Sequence, residues 1–431
     1  MSLNLDPECL QSLAERLSRS LEQVRVLNGS YLDTDSVLPL IDPEKALPQH
    51  GPIRRALDQY IGDTPFFDFV FGVLASELED TQKYAPESQS VMLSEIQGFN
   101  DLTSVADRLV SQFNSLPWEY TLSVEWPREV GTILATTIGN ASLSETERIV
   151  TPDDGFSEEY PLNNDSVATL GVHHLLAPPI HRQWQRETSY LQVHMKGFVR
   201  DFGVTAPLDF ALARVKAICG LAIALMLFKV KKSYRSAPKK TECRIHRRVT
   251  NKWTESHTYE MIGPESDTFH DLEFSDFSRD IRSDAERVSW LQKVILSIST
   301  VLSNQDRSHR IILAGQWLFE SYCGSDELLS FVQTAVVMEI LLGDKAASKE
   351  IGLSELLANR CAYLISSTQK ERNELLNGFK EIYGVRSSIV HAGKKRLSMQ
   401  ERFLLEKLRW MCRRVIQEEV SLLEKEFEAG K

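Results

Sequence analysis

The stretch Leu328–Leu342 has the sequence LLSFVQTAVVMEILL, which is apolar on nearly every side of a helix. A helix of this kind is buried all round, whereas an amphipathic helix is buried along one face. Glu339 is its only charged residue, and a carboxylate in such surroundings needs a partner or a shifted pKa. The stretch therefore predicts the central helix of a helical domain, with one charge placed inside it.

The distribution of proline sets the extent of that domain. All 16 prolines lie at or before Pro264, and the remaining residues contain none. Because proline interrupts helix interiors, its absence predicts five or six long helices from about Ser283 onward. Two capping-box patterns, one from Thr368 to Glu371 and one from Ser398 to Glu401, mark two of the expected helix starts.

The first 280 residues have a mixed pattern. Apolar and polar residues alternate in Tyr120–Trp126 and in Leu191–Val199, which is typical of half-buried strands. Stretches rich in Pro, Asp and Asn predict loops at 31–52 and 151–182. Helices are predicted near residues 6–27, 66–83, 102–115 and 208–229.

These patterns together predict an α+β protein. We expect a mixed α/β N-terminal recognition region at residues 1–280, which could divide further into 1–185 and 186–280. An all-α helical bundle follows at residues 281–431.

Composition narrows the class of protein. Hydrophobic residues make up 42% and charged residues 25%, with a net charge of −11, which is ordinary for a globular protein. Six cysteines lie far apart without a CxxC pair, which favours a reducing compartment. The N-terminus lacks a signal-peptide pattern, and the longest apolar run, Ala217–Phe228, is too short to span a bilayer. We expect a soluble cytoplasmic protein.

One segment of the helical domain carries candidate chemistry. Residues Ile382–Gly393 have the sequence IYGVRSSIVHAG, in which Arg386 and His391 form an Arg-x4-His spacing. RNA carries its own nucleophile, the 2′-hydroxyl, so its cleavage needs a base, an acid and a cation. Histidine exchanges protons near neutral pH, and the arginine fork binds two phosphate oxygens. A histidine at a helix C-terminus can also serve only to stabilise the helix dipole.

The spacing of the two residues has a geometric consequence. Positions five apart differ by about 140° around a helix of ~3.6 residues per turn. Arg386 and His391 of one chain are therefore not side by side. A two-fold axis beside the helix would bring two such pairs into one cleft.

Sequence alone leaves two interpretations of Glu339 open. In the first, it forms a structural ion pair with Arg360, which lies in the similarly apolar stretch Leu356–Ile365. In the second, it orients Arg386 or His391. We expect the first.

Three ordered pieces of the C-terminal region resemble the ApeA-like branch of the HEPN superfamily (higher eukaryotes and prokaryotes nucleotide-binding domain). They are AVVMEILLG at Ala335–Gly343, LANRCA at Leu357–Ala362, and the segment Ile382–Gly393. The resemblance covers about residues 285–425, and three pieces in order are more specific than one Arg-x4-His spacing.

The resemblance implies a helical domain that pairs as a homodimer, with the Arg-x4-6-His motif at a shared cleft. Many members are metal-independent endoribonucleases of toxin, abortive-infection or antiphage systems, in which the positions of Arg386 and His391 are catalytic. Others are inactive binding modules. The alternatives to an enzyme are therefore a scaffold that binds RNA or nucleotide and regulates a partner, or a sensor of a ligand such as a phage-derived trigger.

Four further residues are expected to support the site: Glu339, Arg360, Ser387 and Tyr383. Many family motifs place Asn, Asp or His directly after the arginine, where this chain has Ser387. Serine is a weaker proton handler, so the rate or the choice of substrate could differ.

A second candidate is the basic segment, Lys229–Lys252, which contains ten Lys or Arg residues and one acid, Glu242. Such a charge excess in an acidic protein is typical of a polyanion-binding surface. The alternation of Cys243–Thr250 predicts a strand with one basic face, while a solvated, protected edge strand is the competing interpretation. The residues proposed to bind RNA are Lys239, Lys240, Arg244, Arg247 and Arg248.

The sequence gives little support for a metal site or for the common nucleotide-binding and hydrolase motifs. His173, His174 and His181 form the densest histidine group, but no Cys or carboxylate lies at close ligand spacing. Walker, GxGxxG, HExxH and GxSxG patterns are absent from the sequence. We therefore expect no metal and no cofactor, with RNA and a second copy of the chain as partners.

Overall fold

The computed structural model describes residues 3–80, 90–163, 182–231, 239–275, 284–344 and 346–429. It has the α+β architecture that the sequence predicts, with a mixed N-terminal region and a helical C-terminal region.

The chain begins with four helices and a small antiparallel sheet. The elements are α1 (Pro7–Leu21), β1 (Arg25–Leu27), β2 (Tyr31–Leu32), α2 (Pro52–Tyr60), α3 (Pro65–Asp80), β3 (Ser90–Met92) and α4 (Leu102–Asn114). Short 3-10 helices lie at Leu38–Ala46 and Leu93–Glu95. The side chains that these elements bury form one apolar cluster, which runs from Leu5 to Leu116 and also includes Phe198.

A six-stranded antiparallel sheet follows, in the order β10-β9-β4-β7-β6-β5. Its strands are β4 (Trp118–Glu125), β5 (Ala141–Ser142), β6 (Glu147–Val150), β7 (Tyr190–Gly197), β9 (Thr241–Val249) and β10 (Lys252–Met261). The two strands predicted by alternation are confirmed as β4 and β7, which pair with Leu122 opposite Val193. The predicted basic strand is confirmed as β9, next to β4.

Helices and a second short sheet surround these strands. They are α5 (Arg128–Thr137), α6 (Asp154–Glu159), α7 (Ala206–Ala224), β8 (Phe228–Val230), α8 (Pro264–His270) and β11 (Leu272–Phe274), with β8 paired to β11. One face of the large sheet, including Tyr120, Leu122 and Val124, belongs to the main apolar core together with α7. The other face is polar and is covered by a small aromatic cluster around Tyr160 and Trp184.

The described part of the C-terminal region consists of helices and their connections, without strands, as the absence of proline predicts. Its helices are α9 (Asp284–Ser303), α10 (Gln305–Glu320), α11 (Glu327–Leu342), α12 (Ala347–Ile351), α13 (Leu353–Ile365), α14 (Gln369–His391) and α15 (Met399–Ala429). Helix α11 contacts α10, α13, α14 and α15, which confirms that it is central. Both predicted capping boxes form, at the starts of α14 and α15.

The N-terminal region and the bundle share an apolar core. Helix α7 lies directly against α10, and a Cβ added at Gly220 would stand 1.8 Å from the carbonyl oxygen of Gly315. The main core cluster contains residues of the sheet, of α7 and of the bundle. The boundary at residue 280 stays a prediction, and the apolar core extends across it.

None of the described helices is both long enough and apolar enough to cross a membrane.

Candidate active site

Helix α14 carries the Arg-x4-His motif. It begins at the Thr368 capping box and continues without interruption to His391. It ends there because Gly393, at φ +63°, takes a left-handed conformation that turns the chain. The motif therefore occupies the last two turns of one long helix.

Arg386 faces the central helix of the bundle. Its Nη2 lies 3.2 Å from Oε1 of Glu339, and the two side chains are 25% and 23% exposed. The Tyr383 hydroxyl donates a hydrogen bond to the same Oε1 at 3.3 Å. The second interpretation of Glu339 is therefore the one observed: it holds Arg386, together with Tyr383.

The surroundings of Tyr383 favour its hydroxyl as a hydrogen-bond donor to Glu339. Its ring stacks on Phe379 at a centroid distance of 5.0 Å. Burial, and then the Glu339 carboxylate, raise the pKa of the Tyr383 hydroxyl far above its usual range. The hydroxyl therefore stays protonated, and donates to Glu339, across the pH range in which proteins are folded.

The expected pair between Glu339 and Arg360 is wrong. Arg360 donates from Nη1 to the Leu342 carbonyl at 2.8 Å, and its Nη2 lies 3.4 Å from Oδ2 of Asp344. Asp344 accepts the N–H groups of Ala346 and Ala347, and these bonds and Arg360 lower the pKa of its carboxyl. Arg360 thus binds the C-terminal end of α11, where a cation is favoured by the free carbonyls.

His391 and Ser387 lie on the outer surface of α14. Both side chains are exposed, as is the neighbouring Val390. Gly384 lies one turn before Ser387 on the same helix, and a Cβ added at Gly384 would meet nothing within 4 Å. Arg386 therefore faces the bundle while His391 faces outward, which is the divergence that the helical spacing predicts.

One polar atom near the motif is unused. Nε of Arg386 is buried and has no hydrogen-bond partner among the residues the structure describes. A guanidinium has five N–H donors, so the Glu339 contact leaves capacity for a further acceptor.

The cations of the basic segment have partners within the chain. Lys240 pairs with Glu260 at 2.6 Å, and Arg248 pairs with Glu119 at 3.0 Å. Of the other three residues proposed to bind RNA, Arg244 pairs with Glu242 at 3.2 Å and Arg247 lies over the Trp118 ring at 3.4 Å. The backbone N–H of Lys239 donates to Asp267 at 2.9 Å. Burial lowers the pKa of Arg247. Lys240 and Arg248 are both much more exposed than Arg244.

The polar face of the sheet holds a network that sequence analysis missed. Ser123 accepts from Gln192 at 2.8 Å, and Gln192 accepts from Arg148 at 2.8 Å. His194 contacts Thr121 at 2.7 Å, and His246 donates to the Pro161 carbonyl at 3.0 Å. The sequence does contain a sign of this network, because polar residues of β4 and β7 alternate with apolar ones. The same alternation is equally typical of a polar face exposed to solvent.

Burial changes the chemistry of the two histidines in that network. It lowers the pKa of His246 to about 4, with a nearby Arg244 adding to the effect. Burial and Arg148 likewise lower the pKa of His194 to about 4. Both rings are therefore neutral at physiological pH, which suits them to hydrogen bonding.

The described residues contain no group of three or more His, Cys, Asp or Glu side chains placed to hold a metal ion. His173, His174 and His181 lie outside the described residues. Comparison with family models, with curated protein sequences and with solved structures finds no match to this chain.

Proposed function

We propose that this protein is a metal-independent endoribonuclease of a prokaryotic defence or toxin type, acting in the cytoplasm. The main support is the 3.2 Å contact between Glu339 and Arg386, because it holds the side chain of the motif arginine in one position. His391, five residues further along the same helix, is exposed. The resemblance to HEPN domains supplies the defence role and the choice of RNA.

The proposed roles follow from the chemistry of the two side chains. His391 takes the proton of the 2′-hydroxyl, which attacks the neighbouring phosphorus. Arg386 binds the phosphate oxygens and stabilises the extra negative charge of the transition state. The P–O5′ bond then breaks, and the leaving 5′-oxygen takes a proton from an acid, which can be the second His391 of a dimer. The products are a 2′,3′-cyclic phosphate and a 5′-hydroxyl.

The site is proposed to be completed by a second copy of the chain. Arg386 faces α11 while His391 faces outward, so one chain presents the two groups in different directions. On this exposed surface Gly384 and Ser387 are small, and a Cβ added at Gly384 would meet nothing within 4 Å. A two-fold pairing there would place each arginine near the histidine of the other chain.

The test is incubation of the purified protein with total RNA in EDTA. We expect cleavage that His391→Ala reduces at least about 100-fold, since general acid–base catalysis is worth ~10²–10⁴ in rate. Arg386→Ala should also lose activity. His309→Ala, an exposed histidine on α10, is the matched control and should cut at the parent rate. Loss of parent activity in EDTA, or full activity of His391→Ala, would contradict the mechanism.

A non-enzymatic scaffold is the second candidate, favoured by two observations. Arg386 is already ion-paired, and Ser387 stands where many family motifs carry a proton-transferring residue. On this hypothesis the protein binds RNA or nucleotide and regulates a partner. The same assay separates the two candidates, because a scaffold would retain RNA on a filter without cutting it.

A further inference from the structure

A cavity of about 530 Å³ lies in the N-terminal region, at the edge of the large sheet. The end of α2, the first turn of α7 and strands β4, β7 and β10 contribute its walls. Its principal lining residues are Tyr60, Tyr120, His194, Lys196, Phe210 and Trp253. None of them belongs to the Arg-x4-His motif or to α14.

The cavity exists because β7 extends beyond β6. The last residue pair of these strands is Glu147 with Val193. Beyond it, the His194 N–H donates to Thr146 at 2.7 Å and the Phe198 N–H donates to Tyr60 at 2.8 Å. Alternate residues of a strand direct their backbone groups to the same side, so the N–H and C=O of Lys196 point into the gap between these two bonds.

The gap offers one donor and one acceptor side by side. No described residue provides a hydrogen-bond partner for the Lys196 backbone on this edge. A peptide strand would need several successive positions to pair, and here the neighbouring N–H groups, of His194 and Phe198, are already bonded. A planar heterocycle with an adjacent donor and acceptor fits a single residue. Every nucleobase carries that pattern, and purines add the larger ring face for stacking.

Aromatic rings flank the gap. Phe210 is 43% exposed, and Tyr60 and Trp253 are half-buried. Trp253 stacks on Tyr160 at 5.3 Å and lies 5.8 Å from the His194 ring. Every nucleobase has a π-face that stacks on such rings. His194, which is neutral, adds a polar group without adding charge.

The rim of the cavity has charges that can receive a phosphate. Lys196 Nζ and Arg248 Nη1 lie 3.2 Å and 3.0 Å from the two carboxylate oxygens of Glu119. Two cations therefore share one acid, and both are partly exposed. Glu145, on the turn before β6, also lines the cavity, so the anion would bind on the side of Lys196 and Arg248.

We propose that this cavity binds a purine base, carried by a nucleoside or by a nucleoside phosphate. The base lies against Phe210 and Trp253 and pairs with the backbone of Lys196, and a phosphate, when present, contacts Lys196 and Arg248. The proposal does not depend on RNA cleavage by Arg386 and His391.

Isothermal titration calorimetry of the full-length protein with adenosine, AMP, guanosine and GMP tests the proposal. We expect saturable binding tighter than about 1 mM for at least one base. If the base is recognised with its phosphate, AMP or GMP binds more tightly than its nucleoside, and Lys196→Gln removes that difference. If the nucleoside is the ligand, the nucleoside and its monophosphate bind with equal affinity. Absence of binding by all four compounds would overturn the proposal.

Variants locate the site. Phe210→Ala should weaken binding by at least about fivefold, because it removes a stacking surface. Tyr31→Ala, an exposed aromatic residue on β2 outside the cavity, is the matched control and should bind as the parent does. Thermal unfolding of each variant verifies the fold. Equal affinity of Phe210→Ala and the parent would reject this cavity as the site.

A second measurement separates bases from polynucleotides. Quenching of tryptophan fluorescence by AMP or GMP should be reduced in Trp253→Phe, which keeps a stacking ring but removes that fluorophore. Binding of RNA oligonucleotides without binding of any mononucleotide would mean that the cavity is part of a polynucleotide surface, and the proposal would fail.

Discussion

At the residue scale, Glu339 determines how the motif arginine is presented. It accepts the Arg386 contact and the Tyr383 hydrogen bond at one oxygen, in a position where all three side chains are largely covered. Without the carboxylate, a half-buried guanidinium would lose its partner. Unpaired buried polar groups are costly, so Glu339 both stabilises the bundle and positions Arg386.

We predict that Glu339→Ala lowers the free energy of unfolding by about 1–2 kcal/mol. Glu339→Gln should lose less, because the amide oxygen still accepts from Tyr383 and Arg386. If Glu339 positions Arg386, cleavage should fall further in the Ala variant than in the Gln variant at a temperature where both are folded. Urea unfolding and initial cleavage rates measure the two effects.

The matched control is Glu381→Ala, an exposed acid on α14. It should change neither stability nor cleavage. If Glu339→Ala unfolds at the same urea concentration as the parent and cuts equally fast, then Glu339 has no part in holding the arginine.

Sequence reasoning found the charge at this site but chose the wrong partner. The apolar run around Glu339 correctly predicts that the carboxylate needs a cation. Periodicity shows which face of a helix is buried, but it does not show which of several helices lies opposite. Arg360 reaches the Leu342 carbonyl at the end of α11, whereas Arg386 on α14 reaches Glu339 one turn earlier, and only the packing of the bundle distinguishes the two.

At the element scale, the crossing of α7 and α10 joins the two regions of the protein. Gly220 and Gly315 face each other there, and neither has space for a side chain: an added Cβ at Gly220 would be 2.6 Å from the Gly315 carbonyl carbon. The obstacle is backbone, which does not rotate away. The two helices therefore lie closer than any other pair of residues would permit.

We predict that Gly220→Ala lowers the free energy of unfolding by about 2–3 kcal/mol, as overpacking of a core does. Chemical denaturation followed by circular dichroism measures it. Gly384→Ala is the control on a helix with open space, and it should leave stability unchanged or raise it by about 0.5–1 kcal/mol. A Gly220→Ala variant as stable as the parent would show that the helices can separate without cost.

The basic segment provides a second prediction at this scale. Among the five residues proposed to bind RNA, Lys240 and Arg248 are ion-paired but exposed enough to reach a phosphate. If they bind RNA, Lys240→Gln and Arg248→Gln should each reduce the slope of log affinity against log salt by about 0.7. Lys425→Gln, exposed at the end of α15, is the control. An unchanged slope would mean that these residues serve only their ion pairs.

Short elements and element ends were hard to predict: α2 and α5 were not predicted, and α6 lies within a predicted loop. The predicted helix over 208–229 stops at Ala224, because Met226 takes a left-handed φ of 64° and the chain then forms β8. The apolar run continues through this turn, so composition gives no sign of it. The capping boxes, in contrast, were predicted correctly because the side chains that begin the helix are themselves the signal.

At the scale of the whole molecule, the proposed active unit is a dimer with a composite site. Arg386→Ala and His391→Ala proteins, each inactive, can be co-expressed with different tags and the mixed dimer isolated. One arginine and one histidine then remain at one shared cleft, and part of the activity should return. RNA cleavage by the purified mixed species is the measurement.

Two controls are needed to interpret RNA cleavage by the mixed dimer. A dimer of one variant alone should stay inactive, and light scattering should give the mass of a dimer at the working concentration. A monomer that still cleaves RNA would contradict the composite site. A verified mixed dimer without activity would mean either that each chain works alone or that both copies of each residue are required.

The shared core also constrains how the protein can be controlled by proteolysis. A chain cut between β11 and α9 would release a bundle whose α10 has lost the covering that α7 provides, and apolar surface would be left facing water. Such a fragment would aggregate or unfold. Cleavage at this connection should therefore inactivate the protein, and any active fragment would have to retain α7.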